Sequence, residues 1–162
     1  GFIKIYETNM ISESKHLQYL GPEPLQNKWN TLYLKKYIIG RKRSIKNILM
    51  DQKCVSGLGN IYVNEILFLA GIKPARRANQ LKKFEIEKII KFSKKILKNS
   101  IKFGGSTIKD FSSENGKKGV FQQHFKVYGR ENQKCSNVDC NLRIIRTVIS
   151  NRATFLCKKC QK

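Results

Sequence analysis

Four cysteines near the end of the chain constrain it more than any other feature. Cys135 and Cys140 are separated by four residues, a sixteen-residue insert follows, and Cys157 and Cys160 are separated by two. Two close pairs around a hairpin-length insert suit a tetrahedral zinc site. Each pair sits on a tight knuckle, and the insert returns the chain so that four thiolates surround one ion. Two disulfides are the alternative. Bridges across such short loops are strained, and the opening residues lack the secretory pattern that goes with an oxidising compartment. The insert from Arg143 to Phe155 reads as two strands around a turn, with Asn151-Arg152 near the tip. Its core candidates are few: Tyr128, Ile144, Ile145, Val148 and Phe155. A module this small lacks apolar surface, so a metal must contribute much of its folding energy. The fifth cysteine, Cys54, lies in an apolar stretch and reads as a buried core thiol.

Upstream of this module the pattern is helical. Phe2 to Tyr6 alternates loosely and reads as a strand, but a lone strand cannot bury a face and needs a partner sheet. The chain opens on Gly1 rather than Met, which fits a processed chain or the C-terminal part of something longer. Gly21-Pro22-Glu23-Pro24 signals a turn. Helices are expected over Thr31–Ile39, over Ile45–Met50 with Ser44 as cap, and over Ile61–Ala70 with Asn60 as cap. Gly71 and Pro74 stop the third. A longer helix from Phe84 to Phe103 sets Ile86, Ile89, Ile90, Ile96, Leu97 and Ile101 against Lys88, Lys91, Lys95, Lys98 and Lys102. That lysine side reads as solvated, with DNA contact as the lesser alternative. Gly116-Lys117-Lys118-Gly119 marks a polar loop.

Charge narrows the partner. Lys and Arg number 33 against 11 acids, a formal net charge of +22. Such an excess calls for a polyanion: nucleic acid first, an anionic membrane surface second, with a merely lysine-rich composition as the plain alternative. No run approaches the ~18 apolar residues of a bilayer span, so a membrane-spanning protein is excluded. Hydrophobic residues at 40% permit a packed core. Two places then suit phosphate. Gly57-Leu58-Gly59-Asn60 would let backbone N–H groups at a helix start approach an anion, with Arg41, Lys42, Arg43 and Lys46 just upstream. Otherwise it is a plain turn between helices. The cysteine module carries nine Lys/Arg against two acids from Lys126 onward, and Arg152 at its tip is placed to fork onto a phosphate. The alternative there is a structural ribbon for protein contacts. His16 and His124 show no ligand or triad spacing, and Glu65, Asp110 and Glu114 form no recognisable acid–base pair.

In this order, the pieces resemble the C-terminal two-thirds of the formamidopyrimidine-DNA glycosylase family. The matching stretches are Leu20-Gly21-Pro22-Glu23-Pro24-Leu25, Ile45 to Gln52, Gly57 to Glu65, Gly104 to Phe111, Val127-Tyr128-Gly129-Arg130, the four cysteines, Arg152-Ala153-Thr154-Phe155 and the Gln161-Lys162 ending. The first cysteine pair is longer than the family's usual C-x2-C, which lengthens one knuckle without removing a ligand.

The resemblance implies a mainly α fold: a helix-two-turn-helix domain with a C-terminal β-hairpin four-cysteine zinc finger. A residual N-terminal strand would come from a missing β-sandwich domain. The corresponding units are 1–20 as remnant, 21–125 as the DNA-binding domain, and 126–162 as the finger. It further implies a bifunctional glycosylase and abasic-site lyase that removes oxidised purines and cleaves the strand by β- and δ-elimination. The partner is double-stranded DNA containing a damaged base, the state monomeric, the location the bacterial cytoplasm beside the nucleoid, and the cofactor one structural Zn²⁺ on Cys135, Cys140, Cys157 and Cys160. Carried over by position, Asn60 and Gly59 bind phosphates beside the lesion, Arg41 is a basic DNA contact, Lys46 approaches the lesion, and Tyr128 belongs to the DNA-contacting set. Arg152 holds phosphate and is the proposed δ-elimination proton donor. The 105–123 segment corresponds to a loop closing over the flipped base. The family's nucleophile, an N-terminal Pro amine beside a Glu, has no counterpart here, so this piece alone is expected to bind DNA without excising bases. Two rival readings are a sibling endonuclease for oxidised pyrimidines and a non-enzymatic zinc-ribbon binder of nucleic acid.

Overall fold

A computed structural model describes residues 3–14, 17–106 and 120–162. Four helices precede one hairpin: α1 (Thr31–Ile38), α2 (Ile45–Leu49), α3 (Asn60–Ala70), α4 (Lys83–Lys102), β1 (Ile145–Ile149) and β2 (Arg152–Leu156). The expected bounds hold to within a residue or so. No helix among the described residues is long and apolar enough to cross a membrane.

The N-terminal strand does not form. Residues 3–7 form no helix and no ladder among the described residues, and a short 3-10 helix, Thr8–Glu13, follows. Ile3 and Ile5 lie in the open. A strand without a neighbouring strand leaves its backbone to water and its face uncovered.

The helices are held by apolar burial. Leu34 and Ile38 of α1, Ile45, Ile48 and Leu49 of α2, Val63, Ile66 and Leu67 of α3, and Ile86, Ile89, Ile90 and Ile96 of α4 form one continuous core. Trp29 is fully buried among them and donates its indole N–H to Ser93 Oγ at 2.8 Å. Each residue sits inside because the 3.6-residue period puts it on one face. Ile101 falls off that face at the helix end and is 67% exposed, against the expectation. Cys54 is buried, as expected.

Caps set the helix ends. Asn30 accepts the Tyr33 N–H at 3.0 Å and Ser44 accepts that of Asn47 at 3.2 Å. Glu85 reaches back to the Lys82 N–H at 2.8 Å and pairs with Arg76. Gly71 closes α3 in the left-handed region at φ 73°, donating to Leu67 and Phe68 carbonyls. Gly21 is fixed by space rather than torsion: a Cβ there would lie 2.4 Å from the Cys54 carbonyl oxygen.

The hairpin is antiparallel, in register Ile145↔Leu156 through Ile149↔Arg152. Its two-residue turn, Ser150-Asn151, has φ of 49° and 59°, the mirror-image geometry that suits the twist of a hairpin. A second, smaller core gathers Phe68, Val127, Ile144, Phe155 and three cysteines. Phe68 comes from α3, so the module borrows a helix residue to complete its interior. Val148, expected inside, is 57% exposed on the outer face of β1.

Candidate nucleic-acid interface and metal centre

The turn before α3 is built from the inside. Gly57 takes φ 81°, and the Gln52 side chain grips both ends of the turn: its Oε1 accepts the Gly57 N–H at 2.7 Å, and its Nε2 donates to the Leu58 carbonyl at 3.2 Å. Gly59, extended, is the residue preceding α3 and its cap. Asn60 is therefore the first helical residue, one place later than the cap expected of it. Its side chain is free to leave the helix, and Nδ2 donates to the Ala153 carbonyl at 3.0 Å.

That bond joins elbow and hairpin. The same Ala153 carbonyl accepts Lys46 Nζ at 3.0 Å, and Lys46 also donates to Thr154 Oγ1 at 2.7 Å. Asn47 Nδ2 donates to Ser150 Oγ at the tip, 2.8 Å. The Phe155 N–H donates to Asn64 Oδ1 at 2.8 Å. The Asn60 side chain thus ends on the backbone of the residue next to Arg152. Beside them opens a polar cleft of about 370 Å³ lined by Arg43, Asn47, Asp51, Gln52, Ser150 and Arg152.

Cations around this cleft differ in availability. The Arg152 side chain is exposed and makes no hydrogen bond or ion pair with the described residues. Arg43 pairs with Asp51 at 3.1 Å. Arg41 folds back on α1, its guanidinium 4.3 Å from the centre of the Tyr37 ring and bonded to the Tyr37 carbonyl. Lys46 is the least available. It is 1% exposed and committed to the hairpin, and burial, with Arg152 nearby, lowers its pKa to about 8. Tyr128 is half-buried, edge-on to Phe155 and Phe125.

The four cysteine sulfurs all lie within 4.8 Å of one another, with Cys140–Cys157 at 3.5 Å and Cys135–Cys160 at 3.8 Å. Metal–sulfur bonds of ~2.3 Å in a tetrahedron separate sulfurs by ~3.8 Å, whereas a disulfide would bring two to ~2 Å. The donor set fits one tetrahedral metal ion. Supporting bonds hold both knuckles: Cys135 donates its N–H to the Leu142 carbonyl at 2.9 Å, and Cys157 donates to Gln161 Oε1 at 3.0 Å. Gln161 in turn donates to the Ile72 carbonyl, tying the last knuckle to the end of α3.

Two neighbouring residues escape a reading of the sequence. Asn64 and Glu65 are buried polar groups inside an otherwise apolar helix. Glu65 forms no acid–base pair; its carboxylate accepts the N–H groups of Lys126, Val127 and Tyr128 at 2.8–2.9 Å, holding the chain as it enters the module. Burial raises its pKa while the three N–H groups pull it down. The available signal is the interruption of Ile61–Ala70 by two side chains too polar for a core position. His124 packs tilted against Phe103, ring centres 4.4 Å apart, and belongs to no metal-ligand group among the described residues. His16, Asp110, Glu114, the Gly116–Gly119 loop and most of the 105–123 segment lie outside the described residues.

Comparison with known proteins agrees with this geometry. Residues 20–112 match the H2TH domain of formamidopyrimidine-DNA glycosylase. The formamidopyrimidine-DNA glycosylase of Neisseria meningitidis serogroup A is 46% identical over 146 residues, 90% of this chain and 52% of that protein. Its counterpart in Ruegeria sp. TM1040 is 40% identical over all 162 residues, 57% of its own length. Among solved structures, the MutM (Fpg) protein of Thermus thermophilus superposes with a TM-score of 0.87 at 32% identity, covering 97% of this chain and 59% of that one. The Lactococcus lactis Fpg in complex with abasic-site DNA gives 0.88 at 32% identity, with 97% and 57% covered. The chain spans little more than half the length of the relatives it matches.

Proposed function

Because the chain belongs to the formamidopyrimidine-DNA glycosylase family, we propose that it forms the DNA-gripping part of a base-excision-repair enzyme acting on double-stranded DNA with an oxidised purine. One observation supports this reading: Asn60 of the elbow bonds the hairpin at Ala153, next to Arg152, whose unpaired guanidinium borders a polar cleft with Arg43, Asn47 and Gln52. The backbone N–H groups at the Gly59-Asn60 helix start and the Arg152 fork hold phosphates, and Arg43 adds charge at the rim. Clamping of this kind offsets the few kcal/mol that unstacking a base costs. Arg41 reaches DNA by unfolding from Tyr37, and Lys46 acts beneath the surface by fixing the tip. Tyr128 supports Phe155 from the side.

The metal in this reading is one structural Zn²⁺ on Cys135, Cys140, Cys157 and Cys160, which supplies rigidity to the module and no bond-breaking chemistry. The parent enzyme is a bifunctional glycosylase and lyase working as a monomer beside the bacterial nucleoid. This chain contributes grip, with Arg152 in place as a proton donor for the second elimination.

The test is binding of the zinc-loaded full chain to a duplex with an abasic-site analogue, titrated with salt. Affinity should fall at least tenfold between ~50 and ~200 mM salt, as phosphate-dominated binding requires. Arg152→Ala, which breaks no described contact of the fold, should weaken binding about tenfold and flatten the salt slope. A flat wild-type response, or an unchanged Arg152→Ala, rejects the reading.

A further inference from the structure

The cleft leaves a second strong concentration of charge unused. Lys88, Lys91, Lys95, Lys98 and Lys102 follow one another at three- and four-residue steps along α4, and all five are solvent-accessible. At 1.5 Å per residue they form a line of about 21 Å, the length of about six base-pair steps. The acids of α4 do not neutralise it. Glu85 is committed to Arg76 and the Lys82 N–H, and Glu87 lies 3.9 Å from Lys83. Apart from Lys88, which lies 5.6 Å from the Phe84 ring centre, no member of the line has a described partner.

Helical geometry settles where the line points. Ser100 of α4 hydrogen-bonds Tyr62, two residues into α3 from Asn60, and Ile86, Ile89, Ser93 and Ile96 share its buried side. At 100° per residue the lysine line is centred roughly 160° around the helix from that side. It therefore lies on the solvent side of α4, opposite the buried face, with Lys95 alone also bordering a pocket that Glu65 and Leu69 of α3 line. A straight duplex seated on Asn60 and Arg152 leaves this side of α4 to a second one.

We propose that this lysine line is a second, sequence-independent seat for a nucleic-acid backbone, so that one molecule bridges two duplex segments. The proposal rests on the elbow being the first seat. Ammonium groups spaced along a line suit a phosphate strand, for they act as point charges without demanding a groove or a base. An anionic lipid surface is less suited, because the broad apolar face of α4 that would enter lipid is already buried against α1 and α3. Two seats on opposite sides let the protein pass from one duplex to another without first releasing the nearer one.

The experiment uses the zinc-loaded full chain with two duplexes, one carrying a fluorescent donor and one an acceptor, at about 50 mM salt and fewer protein molecules than duplexes. The wild type should give energy transfer. The variant with Lys91, Lys95, Lys98 and Lys102 all changed to Gln should lose it at least tenfold, while its affinity for a single duplex changes less than threefold. The corresponding four-fold Lys→Arg variant should keep it. Single-duplex binding without energy transfer overturns this inference and leaves the elbow reading intact. Energy transfer unaffected by the four Gln substitutions overturns it as well. Loss of binding to anionic vesicles in that variant, with no bridging in the wild type, would reassign the line to a lipid surface. Failure of the wild type to bind any duplex removes the elbow reading and this one together.

Discussion

The helical core and the cysteine module solve the same problem by different means. The core buries about twenty apolar residues, most of them from four helices, and needs nothing further. The module buries a handful, takes Phe68 from α3, and closes around four sulfurs. Beside the apolar contact of Phe68 and Leu69, polar groups join them: Lys46, Asn47, Asn60, Asn64, Glu65 and Gln161 all bond across the junction. The difference teaches where each kind of bond serves best. Apolar contact gives stability without direction, whereas the proposed clamp would need Arg152 at a fixed place relative to Asn60. Hydrogen bonds between buried groups supply that direction.

The sharpest way to break this contrast is to remove the metal. A structural zinc site contributes on the order of 10 kcal/mol to a module of this size, so chelation should unfold the hairpin outright. The helices should survive. Trp29 is the single tryptophan and sits in the helical core, so its emission reports that region alone. The expected result is unchanged Trp29 emission after chelation, together with a loss of duplex binding of more than a hundredfold. A red-shifted emission appearing with the loss of metal would mean that the two regions form one cooperative unit.

Much of this contrast is legible in the residues, for reasons that also explain what is not. Cysteine spacing is local, so the module is evident, and isoleucine periodicity places the helices to within a residue. The N-terminal strand misleads because alternation in Phe2 to Tyr6 shows a capacity to pair but cannot supply the partner. Val148 misleads because a two-stranded hairpin has an open face, and sequence does not say which face meets α3. Lys46 and Glu65 are invisible for a deeper reason. Apart from the Thr154 hydroxyl that Lys46 also meets, their partners are backbone groups more than sixty residues away, and backbone carries no signature in the sequence. Each looks like surface charge in a chain full of it.

Glu65→Gln tests the junction itself and should have an intermediate effect. The amide keeps the shape but turns a donor toward three N–H groups, leaving at least one unsatisfied at a cost of about 2 kcal/mol. Amide hydrogen exchange at Lys126, Val127 and Tyr128 should quicken about thirtyfold, while the thermal transition followed by Trp29 shifts little. Equal weakening of both would show that Glu65 supports the core rather than the junction.

The smallest expected effect concerns Lys46 and separates the two regions by pH. Its folded pKa is lowered to about 8 from an ordinary 10.5, because its ammonium is buried next to Arg152. Below pH 8 the amine is charged in both folded and unfolded chains, and the full penalty of burying that charge is present. Between about 8 and 10.5 the unfolded chain binds a proton that the folded chain does not, so stability rises with pH across that window. From pH 7 to pH 9 the gain amounts to about 1 kcal/mol. Lys46→Met, similar in length and without charge, should lack this gain. Metal affinity also rises with pH as thiols ionise, but it does so in both proteins, and the difference between their denaturant midpoints cancels it. Parallel midpoints from pH 7 to 9 would mean that Lys46 keeps its charge beneath the hairpin. The junction would then carry a fixed positive charge beside Arg152, and the tip would tighten rather than relax when a phosphate arrives.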